Sequence, residues 1–76
     1  MSDFTLNNLK RILEIVATSD EYPQEITMAE LRMAIMKVVE KVHPLVTAAF
    51  IKSMIEAEII EINGPIVRVN IGKDDL

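Results

Sequence analysis

Side chains of the types that do chemistry are few in this chain, and they are scattered. His43 is the only histidine, it stands directly before Pro44, and there is no cysteine. A zinc site needs three or four nitrogen, sulfur or carboxylate ligands on one point. A lone imidazole with neither thiolates nor a nearby acidic pair does not supply them, so His43 reads as a turn residue near a helix cap. Glu56, Glu58 and Glu61 come closest to a cation cluster. They straddle a change from helical to strand-like sequence, which fits a solvated acidic rim. A phosphate-cradling loop needs glycines at fixed short spacing ahead of a helix, and Gly64 and Gly72 stand far apart and outside that context. No catalysis, metal or cofactor is expected. Binding remains, and the stretch from His43 to Asn70 is the place to look for it.

That stretch reads as a helix passing into a β-hairpin. Pro44 suits the first helical position, where its missing N–H would have been unpaired. Ala48, Ile51, Met54 and Ile55, with Thr47 and Phe50 beside them, recur at helical spacing over about 44–58. From Ile59 the residues turn β-branched: Ile59, Ile60 and Ile62 precede Asn63-Gly64, and Ile66, Val67, Val69 and Ile71 follow. Asn-Gly between two such runs predicts a hairpin over about 59–71 with a type I′ turn, which needs positive φ at both central residues. Pro65, just past that turn, has no N–H for the ladder and belongs at an edge or bulge.

Two further helices must hold this unit. The first spans roughly 5–18, with Leu6, Leu9, Ile12, Leu13 and Val16 on one stripe and Asp3 or Thr5 as the cap. It stops in Ser19-Asp20-Glu21-Tyr22-Pro23. Gln24 to Thr27 is short and extended and can add a third, minimal strand to the hairpin. The second helix, about 28–41, opens on a capping box, Thr27-Met28-Ala29-Glu30, with Ile26 and Leu31 placed for a hydrophobic staple. Its buried stripe is Leu31, Ala34, Ile35, Val38 and Val42. A tight link, about 42–44, leads to the third helix and completes a helix-turn-helix. Residues 72–76 read as a frayed tail.

The 76 residues make one domain, 1–76, with half of them apolar and a net charge of −4. Charges interrupt every apolar run well before the ~18 residues of a membrane span, so no membrane is expected and a cytoplasmic location is. The acidic excess is greatest in residues 45–76, with three basic and five acidic groups. A nucleic-acid binder is expected to show a basic face, so this balance points the other way.

The order helix, short strand, helix, tight turn, helix, hairpin resembles the winged helix-turn-helix superfamily over roughly residues 4–71. The most specific part is Phe50-Ile51-Lys52-Ser53-Met54-Ile55-Glu56-Ala57-Glu58-Ile59-Ile60. In small repressors of this class the third helix commonly ends in Leu-polar-polar-Leu, then charged residues, a Gly and two aliphatics leading into the wing. Ile51 and Met54 match the two Leu positions, Ile59 and Ile60 match the aliphatics, and Glu58 stands where Gly is usual. Either the helix runs straight into the strand, or Glu58 takes a less comfortable backbone conformation. The resemblance implies an α+β fold, a three-helix bundle with a C-terminal hairpin wing.

It also implies duplex DNA as the partner, met by the third helix and the wing, and a dimeric transcription regulator as the role. With Thr47, Phe50, Ile51 and Met54 inward, Val46, Ala49, Lys52, Ser53 and Glu56 face outward, and Leu45 and Ala48 lie at the edges. Base readout prefers side chains that donate, and only Lys52 and Ser53 qualify, with Arg68 and Asn70 on the wing. Val46 and Ala49 suit thymine methyls or equally a small apolar patch for another protein. A monomer with so few donors neutralises only ~2–4 phosphates, which couples this reading to a homodimer. Phe4, Ile15, Met28, Met33, Met36 and Val39 exceed what one small core covers and are the candidates for the dimer contact. The alternative is a protein-interaction module, a subunit or adaptor that contacts its partner through the third helix and does not bind DNA.

Overall fold

Strand turns to helix at Thr27, and the bonds there are those its sequence predicts. In the computed structural model, which describes residues 3–76, Thr27 Oγ1 accepts from the Glu30 N–H at 3.1 Å and Glu30 Oε1 accepts from the Thr27 N–H at 3.2 Å. Ile26 and Leu31 beside this capping box are buried. The described residues form an α+β fold in the order α1 (Leu6–Val16), β1 (Gln24–Thr27), α2 (Met28–Val39), α3 (Pro44–Glu56), β2 (Ile60–Asn63), β3 (Ile66–Val69) and a 3₁₀ turn, Lys73–Asp75. The strands make one antiparallel sheet, β1-β3-β2. The extended segment before α2 is thus the third strand, and it pairs with β3 rather than adding to the free side of β2.

One apolar core joins the helices to the sheet. Leu9, Ile12, Leu13 and Val16 come from α1, and Leu31, Ala34, Ile35 and Val38 from α2. Phe50, Ile51 and Met54 come from α3, and Ile26, Ile60, Val67 and Val69 from the strands. Fully burying each of the larger side chains stabilises the fold by about 1.5–3 kcal/mol. Strand alternation sends these residues inward and their neighbours outward, so Glu25, Arg68 and Glu61 share the outer face of the sheet.

The helices are shorter than their apolar spacing implies, and each end has its own cause. Thr5, not Asp3, caps α1, accepting from the Asn8 N–H at 3.2 Å. At the other end Gln24 Nε2 donates to Val16 O at 3.0 Å and Tyr22 Oη to Ala17 O at 3.1 Å, so α1 stops before Thr18. α2 stops at Val39 because Glu40 is left-handed, with φ 61°, and its N–H still reaches Met36 O at 2.9 Å. The turn throws Val42 off the helical stripe. Rather than being buried, Val42 is 87% exposed.

α3 ends at Glu56, short of Glu58, in a Schellman motif. The Ile59 N–H donates to Met54 O at 3.0 Å and the Glu58 N–H to Ile55 O at 2.9 Å. Glu58, at the position such motifs give to glycine, has φ 61°. Of the two conformations open to it, it takes the left-handed one.

The hairpin forms with a register one residue later than expected. Asn63 pairs with Ile66, so the two loop residues are Gly64 and Pro65. Gly64 has φ 62°, and Asn63 is not at positive φ. A positive-φ glycine followed by proline, whose ring holds φ near about −65°, is the φ pattern of a type II′ turn rather than type I′. Pro65 therefore sits in the turn, and its carbonyl accepts from the Met28 N–H at 2.9 Å, tying the hairpin tip to the start of α2.

The tail carries the 3₁₀ turn and lies against α1. Gly72 is buried so closely against Tyr22 that a side chain there would strike the ring. The Gly72 N–H donates to Asp75 Oδ2 at 3.0 Å, and Lys73 lies 3.6 Å from Glu14 of α1.

Candidate interaction face on the third helix

α3 is launched by His43, whose Nδ1 accepts from the Leu45 N–H at 3.2 Å. The only imidazole is therefore an N-cap, as its place before Pro44 implies. With Thr47, Phe50, Ile51 and Met54 buried, the helical period puts Leu45, Ala49, Lys52 and Glu56 on the outermost ridge. Leu45 is 73% exposed. Val46 and Ser53, expected to face outward, are half-buried on the flank next to Phe4. Leu45, expected at the edge, takes the centre.

The candidate polar contacts fare unequally. Ser53 Oγ donates back to Ala49 O at 3.1 Å. Asn70 Nδ2 donates to Glu58 O at 3.1 Å, and the Asn70 N–H to Ile59 O at 2.9 Å. Arg68, in the central strand, has Glu25 and Glu61 opposite it on its two neighbours, and its Nη1 lies 3.5 Å from Glu61 Oε2. A guanidinium flanked by two carboxylates offers an approaching phosphate no net positive charge. Lys52 alone of the four is exposed and has no ion pair among the described residues. The outer ridge thus holds one cation, Lys52, one anion, Glu56, and two apolar side chains.

The six dimer candidates divide. Phe4 meets Phe50 edge to face at 5.1 Å between ring centres, and Phe4, Met28 and Val39 pack against the chain's own core. Ile15 and Met33 remain exposed, Met33 by 66%, and line one shallow depression between α1 and α2. Met28 and Met36 turn to the other side of α2.

There they line a groove of about 660 Å³ between α2 and α3. Its apolar wall includes Met28, Met36, Val42, Ala48, Ile51 and Ile55, and Arg32 and Lys52 border it. Val42, Ile55 and Arg32 were not among the residues the sequence singles out for binding. Val42 and Ile55 sit at helical spacing with core residues and read as core. Arg32 is one of several surface cations, and only the packing of α2 on α3 brings it to the same groove as Lys52. No family model, curated protein or solved structure matches this chain. Among the described residues, no helix is long and apolar enough to cross a membrane.

Proposed function

We propose that the chain is a winged-helix domain, with β2 and β3 as its wing, and that it uses α3 and the adjoining groove to bind another protein. The observation that carries this reading is the state of the α3 and wing donors. Ser53 and Asn70 are engaged with backbone carbonyls, and Arg68 lies between two carboxylates. Leu45 and Val42, by contrast, stand free at 73% and 87% exposure. Val42 lines the α2–α3 groove together with exposed Ile55, and an apolar patch of this kind on a small acidic chain marks a contact surface. The test is capture of the natural partner with wild-type protein and with Leu45→Glu and Val42→Glu. Both variants should keep the wild-type circular dichroism spectrum and lose the partner. Undiminished capture by both would remove this face as the contact.

The second reading is the dimeric DNA-binding regulator that the order of elements implies. Lys52 and Arg32, unpaired and bordering one groove beside α3, favour it. Two cations per chain neutralise about two phosphates, too few for more than weak, salt-sensitive binding unless a dimer doubles them. Of the six dimer candidates, Ile15 and Met33 are the two that stay exposed.

A further inference from the structure

The α2–α3 groove differs in charge from the rest of the surface. The chain has twelve acidic residues against eight basic ones, yet among the described residues no carboxylate lines this groove, while Arg32 and Lys52 both do. Neither cation has an acidic partner among the described residues. With them the groove is lined by half-buried Met28 and Met36, which flank Arg32 at i±4 on α2, by buried Ile51 and by exposed Val42, Ala48 and Ile55. Methionine adapts its shape to an incoming side chain better than branched residues do.

We propose that this groove receives an acidic amphipathic helix of a partner protein. Its apolar stripe lies on the methionines, Val42 and Ile55, and its flanking carboxylates meet Arg32 and Lys52. The proposal rests on the protein-contact reading above and names the partner's chemistry. The dimensions agree with it. Met28 to Met36 spans ~12 Å of α2 and Pro44 to Ile55 ~16 Å of α3, at 1.5 Å per residue, room for about two to three turns of a helix anchored at i, i+3 or i+4, and i+7. A second copy of this chain suits the groove less well. α1, the one long helix that does not line the groove, exposes Leu6 and Ile15 but carries Lys10 and Arg11 against the single Glu14, and would bring cations to cations.

The test is a ¹⁵N-resolved NMR titration of the intact chain with a helical peptide of about 14 residues, Leu on one stripe and Glu on both flanks. A twin carrying Lys for Glu and a random-sequence DNA duplex are titrated alongside. The expected result is amide shifts confined to the groove-lining parts of α2 and α3, with the acidic peptide binding ~10-fold more tightly than its twin, the preference two charge pairs provide. The double variant Arg32→Glu with Lys52→Glu, both at exposed positions, should reverse that preference and keep its fold. Equal binding of the twins, shifts elsewhere, or no shifts at all would overturn the proposal. Its failure is separable from that of the protein-contact reading. If the peptides fail while Val42→Glu still loses the natural partner, that reading stands and only the helix is wrong. If the duplex shifts the same amides as it binds, both fall.

Discussion

Asn70 reaches across from the end of β3 and donates its side-chain amide to the main-chain carbonyl of Glu58, 3.1 Å away. Its own N–H meets Ile59 O at 2.9 Å, so one asparagine clamps two of the three residues, Ala57 to Ile59, that carry α3 into the sheet. The clamp holds the turn in which Glu58 takes its left-handed conformation and ties the end of α3 to the hairpin. It also turns inward a hairpin donor that a nucleic-acid reading would need.

Left-handed backbone costs a non-glycine residue roughly 1–2 kcal/mol, and glycine gives back part of the gain through its greater unfolded-state freedom. Glu58→Gly and Glu40→Gly are each expected to stabilise the chain by about 0.5–1 kcal/mol, read as a rise of ~3–6 °C in thermal unfolding. A fall in Tm for both would contradict the strain assigned to these helix ends.

Asn70→Ala removes the donor but leaves the Asn70 N–H in place. The loss of one net hydrogen bond predicts a destabilisation of about 1 kcal/mol in urea unfolding. Capture of the partner by the folded protein should be unchanged, since Asn70 acts inward. Lost capture with unaltered stability would make it a contact residue after all.

How far such features are legible in the sequence depends on how local they are. The capping box at Thr27 and the staple of Ile26 on Leu31 lie within six residues and follow from spacing alone. The hairpin's existence does too, but its register does not. Asn-Gly and Gly-Pro are both turn dipeptides, and the second wins here, with a positive-φ glycine ahead of a proline ring of fixed negative φ. Val42 and Ile55 keep helical spacing with core residues, and the left-handed turn at Glu40, which no glycine announces, puts Val42 in solvent. The engagement of Arg68 depends on which residues oppose it from β1 and β2, and that of Asn70 on a turn twelve residues away. Pairings so distant in sequence leave no periodic trace.

Met33 is 66% exposed beside Ile15, the best-placed remnant of the apolar surplus for self-association. Met33→Lys should alter unfolding stability by no more than about 0.5 kcal/mol. In sedimentation velocity it should weaken the dimer that the second, DNA-binding reading requires by ~10-fold or more, the effect of losing about 1.4 kcal/mol at the contact. A wild-type chain that is monomeric at every concentration would remove the dimer.

Phe4 is expected to act within the chain rather than between chains. Phe4→Ala loses the edge-to-face contact with Phe50 and part of a half-buried ring, a cost of about 1–2 kcal/mol. It should leave the sedimentation coefficient unchanged. A monomer–dimer shift in this variant would return Phe4 to the interface.

The claim that α3 and its groove serve a protein rather than DNA is tested most directly by fluorescence anisotropy of a labelled random-sequence duplex over a salt series, for wild type and Lys52→Ala. The predicted result is no micromolar binding even at low salt, because Lys52 is the only free cation on the outer ridge of α3 and Arg68 is flanked by Glu25 and Glu61. Micromolar binding that falls steeply with salt and is weakened by Lys52→Ala would contradict the account and restore the DNA-binding regulator.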